Sequence, residues 1–212
     1  LNRRGMFIIW SPPLIILIGF TTAKLFTPVI QEWAWIPLAL VYWLGMGICI
    51  GAGKGDKRLA DWIRKPLPTK LTIVGMLFGM FPLSVLLTNF HLFDSIELVI
   101  LWIAFALINP WFEEYYWRGI LLDSTLKVMP KWLGIGYSTI FFVASHPLMW
   151  GVFSIANRSS HVVIFLSIIG IVWSLMYLRS KSLRWVIVSH CIVDIGIITV
   201  LVFLNIYIPP IG

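Results

Sequence analysis

The chain has 212 residues, a mean hydropathy of +0.93 and only 12% charged residues. Soluble domains carry about 25% charged residues, so a water-soluble globular fold is excluded and an all-α polytopic transmembrane bundle is expected. The formal charge of +7 does not mark a nucleic-acid binder, because the basic residues gather between apolar segments, where topology and anionic lipid account for them.

Seven apolar segments are long enough to span, near 6–23, 33–53, 71–90, 96–120, 132–149, 161–179 and 184–208, given that a spanning helix needs about 20 mostly apolar residues. The first follows Arg3 and Arg4 and contains Pro12 and Pro13, which predict a kink. It lacks the small-residue cleavage site of a signal peptide, and because the chain opens on Leu1 rather than Met, a further helix ahead of it is allowed for. Gly47-xxx-Gly51 and Gly75-xxx-Gly79, in the second and third segments, predict close helix packing inside the bundle or on a dimer face. Between them, Lys54 to Lys70 is polar and holds Lys57, Arg58, Arg64 and Lys65. It reads either as an ordinary loop or as a surface helix with Leu59, Trp62 and Ile63 toward lipid. Pro82 should kink the third segment, and Asn109-Pro110 should loosen the fourth ahead of its charged residues. The fifth is diluted by Gly134, Gly136, Ser138, Ser145 and His146.

Lys127 and Lys131 follow the fourth segment, and Arg179, Lys181 and Arg184 follow the sixth; the opposite connections hold only Lys24 and Arg158. The positive-inside rule then gives a cytoplasmic N-terminus and an outside C-terminus, in what is expected to be a prokaryotic cell membrane. Residues 1–212 read as a single domain without linker or repeat. Cys49 and Cys191 carry no framework spacing and read as packing residues. His91 and His161, at segment ends, read as interfacial, and Trp111, Trp117, Trp132, Trp150 and Trp185 as interface or packing aromatics.

Four polar places interrupt apolar helices: Glu113, Glu114 and Arg118; the run from Phe142 through Ser145 and His146; His190; and Asp194. Ionisable groups at bilayer depth are costly and face a bundle interior or a water-filled cavity. Glu114 and Arg118 are i, i+4 and share a helix face, which predicts an internal ion pair. Glu113 is turned about 100° away and is left free for another task. His190 and Asp194 repeat the i, i+4 offset. Glu113 lies seventeen residues before Pro130 and His146 sixteen after it, so an antiparallel hairpin brings the two level. Carboxylates and imidazoles around one wet cavity suit water activation by a general base, with a second imidazole toward an oxyanion. The same set, Glu113, His146, His190 and Asp194, could instead hold zinc, although no His-Glu-x-x-His motif is present.

Glu113-Glu114-x-x-x-Arg118, Phe142-x-x-x-His146 and His190-x-x-x-Asp194, in that order on successive late helices, resemble the CPBP (Abi) family of CaaX proteases and bacteriocin-processing enzymes, which includes the type II CaaX prenyl endopeptidases. The resemblance covers about residues 96–208. It implies a glutamic-type intramembrane endopeptidase with no cofactor, in which Glu113 and His146 activate water and His190 and the residue at 194 serve the oxyanion. Glu114, Arg118 and Phe142 would support them. Prenyl endopeptidases usually carry Asn where this chain has Asp194, and an ionised carboxylate cannot donate to an oxyanion. Asp194 is therefore expected to be protonated, to orient His190 or to help bind a metal. The substrate expected is a small membrane-associated or lipidated peptide or protein, met in a cavity opening toward the cytoplasm. Two rivals stand beside this. One is a non-catalytic scaffold or bacteriocin self-immunity protein of the same family. The other is a proton-coupled transporter, against which the absence of an inverted repeat argues.

Overall fold

The computed structural model describes residues 3–209. Ten α-helices follow in order among the described residues: α1 (Arg3–Ile30), α2 (Trp35–Gly53), α3 (Lys70–Met80), α4 (Leu83–Asn89), α5 (Ile96–Glu114), α6 (Leu122–Thr125), α7 (Lys131–Leu148), α8 (Ser160–Ser180), α9 (Arg184–Gly196) and α10 (Thr199–Phe203). A π-helical stretch, Tyr115–Leu121, joins α5 to α6, making one rod of 30 residues. The chain is an all-α integral membrane bundle. Each of the seven expected segments is helical, and two of them are broken.

The helix ends have local causes. Thr69, Ser95 and Ser159 sit in extended conformation and accept the backbone N–H of Leu71, Leu98 and Val162, capping α3, α5 and α8. Gln31 adopts φ 53°, so the long apolar run from Arg3 to Gly53 turns back on itself as a hairpin rather than continuing as one rod. Lys181, at φ 56°, ends α8 in the left-handed conformation that releases a helix into a turn. Pro82 breaks the third segment into α3 and α4.

Pro12 and Pro13 do not interrupt α1, which runs through both. Each proline removes an N–H, which would orphan the carbonyls of Ile8 and Ile9. The Ser11 hydroxyl donates to Ile8 O at 2.8 Å and the Tyr137 hydroxyl to Ile9 O at 2.6 Å, so both carbonyls regain a donor. The last segment departs most from expectation. It is not one helix over 184–208: Ile198 takes φ 50°, ending α9 and starting the short α10.

Side-chain contacts define two ends of the bundle. At the basic end, Leu183 N–H donates to Trp62 O (2.7 Å), Arg184 to Ile63 O (2.9 Å), and the Ser182 hydroxyl to Arg64 O (2.7 Å). Lys57 reaches Asp123 at 3.1 Å. The polar stretch after α2 is thus a loop with a single 3-10 turn, strapped across the bundle end. Trp62 is buried and donates to Asp123 Oδ2 (3.2 Å), which corrects the lipid-facing reading of that residue. At the opposite end, Asn205 bonds Ile155 N–H (2.9 Å), Phe153 O (2.8 Å) and Glu32.

Of the two small-residue motifs, Gly75 and Gly79 face the bundle: a Cβ on Gly79 would stand 2.9 Å from the Ser189 carbonyl oxygen. A Cβ on Gly47 would meet the Phe112 ring at 3.7 Å, whereas one on Gly51 meets nothing within 4 Å, so only the first of that pair packs inside the bundle. Cys49 and Cys191 are free thiols. Trp117 and Trp150 are core residues, while Trp111, Trp132 and Trp185 are exposed. His91 and His161 are exposed, the first in the turn after α4 and the second in the first turn of α8.

Candidate functional site

Glu113 and Glu114 close α5, and the π-helical turns follow immediately. Such wide turns recur at functional sites, and every residue of this one is buried. The rod delivers the glutamates about 26 Å from its start at Ile96 and about 18 Å from its end at Thr125. Glu114 and Arg118 form the expected pair, with Nη1 to Oε1 at 2.8 Å and both side chains buried. Arg118 also lies over the faces of Phe142 (4.2 Å) and Trp173 (5.2 Å), an arrangement that offsets part of the cost of a buried cation.

His190, on α9, stacks on Trp173 with ring centroids 4.5 Å apart and sits 2.7 Å from Glu114 Oε1 through Nδ1. A carboxylate oxygen only accepts, so Nδ1 is the protonated nitrogen. Nε2 is thereby aimed the other way, 3.5 Å from Glu113 Oε2 and 3.7 Å from Asp194 Oδ1. The Glu114–Arg118 pair is therefore also the anchor of an imidazole.

Glu113 is oriented from a helix outside the three motifs. The Tyr42 hydroxyl, on α2, donates to Glu113 Oε1 at 2.9 Å, and the Trp117 indole N–H donates to that hydroxyl at 3.2 Å. Glu113 Oε2 is buried without a hydrogen-bond partner. One oxygen is held and the other is left for a ligand. His146, on α7, donates Nδ1–H to the Phe142 carbonyl at 3.0 Å, the usual i−4 partner of a helical residue, and its Nε2 lone pair is left free.

Asp194 Oδ2 accepts from Asn109 Nδ2 at 3.3 Å, and Asn109 Oδ1 accepts from the Trp43 indole at 3.0 Å. Asn109 is thus a bridge from α2 to α9, where the sequence marked only a loosened helix. Tyr42 went unnoticed, because one tyrosine in an apolar helix carries no signal when its partner lies 71 residues away.

Glu113, His146, His190 and Asp194 line one cavity of about 60 Å³, polar and roomy enough to hold water. The rest of the wall is apolar except for Asn109, Asn157 and Thr199. The cavity runs from these groups toward the end opposite the basic loops: Ala156 and Asn157 lie between α7 and α8, Val162 and Phe165 in the first turns of α8, and Thr199 and Val202 on α10. A cavity opening at the basic end was expected. At that end the buried π-helical stretch and the Trp62 strap, with the Tyr115 hydroxyl donating to Leu59 O at 3.1 Å, lie between the four groups and a separate recess lined by Lys57, Arg64, Asp123 and Lys181.

Zinc would need three or four converging ligands. Among the described residues no three His, Cys, Asp or Glu side chains are so placed; His190 commits Nδ1 to Glu114 and turns its face against Trp173.

Residues 95–196 match the family model described as type II CAAX prenyl endopeptidase Rce1-like. No curated protein and no solved structure matches the chain. The matched span contains all three motifs and ends two residues beyond Asp194.

Proposed function

Since residues 95–196 belong to the type II CAAX prenyl endopeptidase Rce1-like family, a protease family, we propose that the chain is a glutamic-type intramembrane endopeptidase. It cleaves a membrane-associated peptide or small protein in a multi-pass protein whose N-terminus is cytoplasmic, in a prokaryotic cell membrane. The observation that supports this reading is the division of labour at Glu113, which lines a cavity with two histidines: Oε1 is fixed by Tyr42, while Oε2 is buried without a hydrogen bond, 3.5 Å from His190 Nε2.

Glu113 and His146 hold a water between them. The water oxygen attacks the scissile carbonyl carbon while its proton passes to Glu113, the general base. The carbonyl electron pair moves to oxygen, and the resulting oxyanion is met by His190, doubly protonated and held through Nδ1 by Glu114. Collapse breaks the C–N bond, and the proton on Glu113 goes to the departing amine, so the carboxylate is restored. Asp194 faces His190 and accepts from Asn109, a geometry that suits orientation of the imidazole rather than donation to the oxyanion.

The test is cleavage of an apolar fluorogenic peptide by the purified protein in liposomes. Glu113→Gln and His146→Ala are expected to lose at least 100-fold in kcat while unfolding at the temperature of the native protein. EDTA or phenanthroline is expected to leave the rate unchanged. Full biological activity of Glu113→Gln would instead support the scaffold reading, and zinc-restored activity after chelation would overturn the metal-free mechanism.

A further inference from the structure

His190 and Asp194 share α9, yet the plane of the His190 imidazole is not set by α9 alone. Glu114 holds Nδ1 at 2.7 Å, which fixes one atom of the ring and leaves its tilt open. The tilt is taken up by the Trp173 indole on α8. It stacks on the imidazole with centroids 4.5 Å apart and planes 29° from parallel. Phe142 meets the same imidazole edge-on at 6.4 Å.

The indole is in turn held from two other helices. Its N–H donates to the Ser189 hydroxyl at 2.9 Å, and that hydroxyl donates to the Gly75 carbonyl of α3 at 2.8 Å. An indole N–H can only donate, so Ser189 accepts it and spends its own proton on Gly75. Ser189 immediately precedes His190. The last helix of the motif set thus offers a hydroxyl to the edge of the indole and an imidazole to its face. Trp173, Ser189 and Gly75 are all buried. Two glycines let α3 come this close. A Cβ on Gly79 would stand 2.9 Å from the Ser189 carbonyl oxygen, and one on Gly75 would run into the Met176 sulfur of α8. Both glycines lie outside the family match over 95–196.

We infer that Trp173 is a positioning residue for His190, and that α3 sets it through the Gly75 carbonyl and the Ser189 hydroxyl. The relay fixes the plane in which Nε2 faces Glu113 and Asp194, and the indole face favours the imidazolium that meets the oxyanion. The third segment is then part of the machinery rather than a packing partner of it. The effect on rate rests on the protease reading, whereas the placement of the ring can be read without hydrolysis.

The test uses the full chain with isotope-labelled histidine in nanodiscs. There are four histidines, and the His190 ring signal is identified by its loss in His190→Asn. Shielding by the indole is expected to place that signal upfield of those of the exposed His91 and His161. It should move toward them in Trp173→Leu, and also in Ser189→Ala and Gly79→Ala, which leave the indole present but unheld. In the peptide assay, Ser189→Ala and Trp173→Phe should each lower kcat about tenfold with KM unchanged, as one lost hydrogen bond can. The double variant should be no worse than the worse single one, since both changes break the same bond. A His190 signal unmoved in Ser189→Ala, an unchanged kcat in Trp173→Phe, or losses that multiply in the double variant would each overturn the relay. Should Ser189→Ala fail to fold, Trp173→Phe, which leaves no indole donor stranded, decides through kcat alone. The expected shifts together with no hydrolysis by the native protein would leave the relay standing and remove the protease reading.

Discussion

Replacing Arg118 by Leu tests the foundation of the site without touching a group that meets substrate. The guanidinium is buried, 2.8 Å from Glu114 Oε1, and lies against two aromatic faces. Removing one partner of a buried ion pair costs about 3–5 kcal/mol, and here the lower part of the range applies because Glu114 keeps His190 Nδ1 at 2.7 Å. For a chain of this size about 1 kcal/mol moves Tm by about 2–4 °C, so the expected fall is about 6–20 °C. Intrinsic tryptophan fluorescence during heating in detergent micelles measures it directly. The double variant Glu114→Gln with Arg118→Leu is expected to recover part of the loss, since the carboxylate that lost its guanidinium is neutralised, and the two single effects should be clearly non-additive. A Tm within 2 °C of native for Arg118→Leu alone, or full additivity in the cycle, would refute the claim that these two charges neutralise one another in the core.

Tyr42→Phe keeps the ring that packs edge-on against Trp150 and removes only the hydroxyl that holds Glu113. We expect kcat to fall by about 10–100-fold with KM unchanged, equivalent to the roughly 1.5–3 kcal/mol of a hydrogen bond to a charged group; steady-state kinetics on the fluorogenic peptide reads the split, and an unchanged kcat rules out a positioning role. Asn109→Leu should likewise lower kcat through loss of the amide that meets Asp194, with Asn109→Gln restoring little because its longer arm cannot span the same gap; the same assay decides. Gly79→Ala should destabilise by about 1–3 kcal/mol, as expected for overpacking, since its new Cβ would stand 2.9 Å from a backbone oxygen. Gly51→Ala, with nothing near it, should be neutral or stabilise by up to about 1 kcal/mol through helix propensity; thermal unfolding compares the two.

The motif residues were legible for one physical reason: a charge inside an apolar segment is expensive, so Glu113, Glu114, Arg118, His190 and Asp194 stood out against their surroundings. Their spacing also foretold the Glu114–Arg118 pair and the levelling of Glu113 with His146, whereas the arrival of α9 beside them did not follow from spacing. What could not be read were the partners that look ordinary alone. Tyr42 sits in a helix where aromatics are common, and Asn109 precedes a proline, which drew attention to the backbone rather than to its amide. Nor does sequence say which end of a bundle is filled. Levelling Glu113 with His146 about a turn is a statement of depth. The direction of the cavity depends on how Trp62 and the 115–121 turns occupy the space beneath, which is a matter of three-dimensional packing. The left-handed Ile198 was equally hidden, because a β-branched residue is among the least expected to take a positive φ.

That one residue divides the last segment into two parts that meet the cavity with different residues. The half carrying His190 and Asp194 is fixed by Trp173, Glu114 and Asn109; the half beyond it contributes Thr199, Val202 and Phe203 to the cavity wall. Substitutions past the break can reshape what the enclosure admits while the imidazole stays in place, so a lineage can change its diet at α10 without relearning its chemistry at α9.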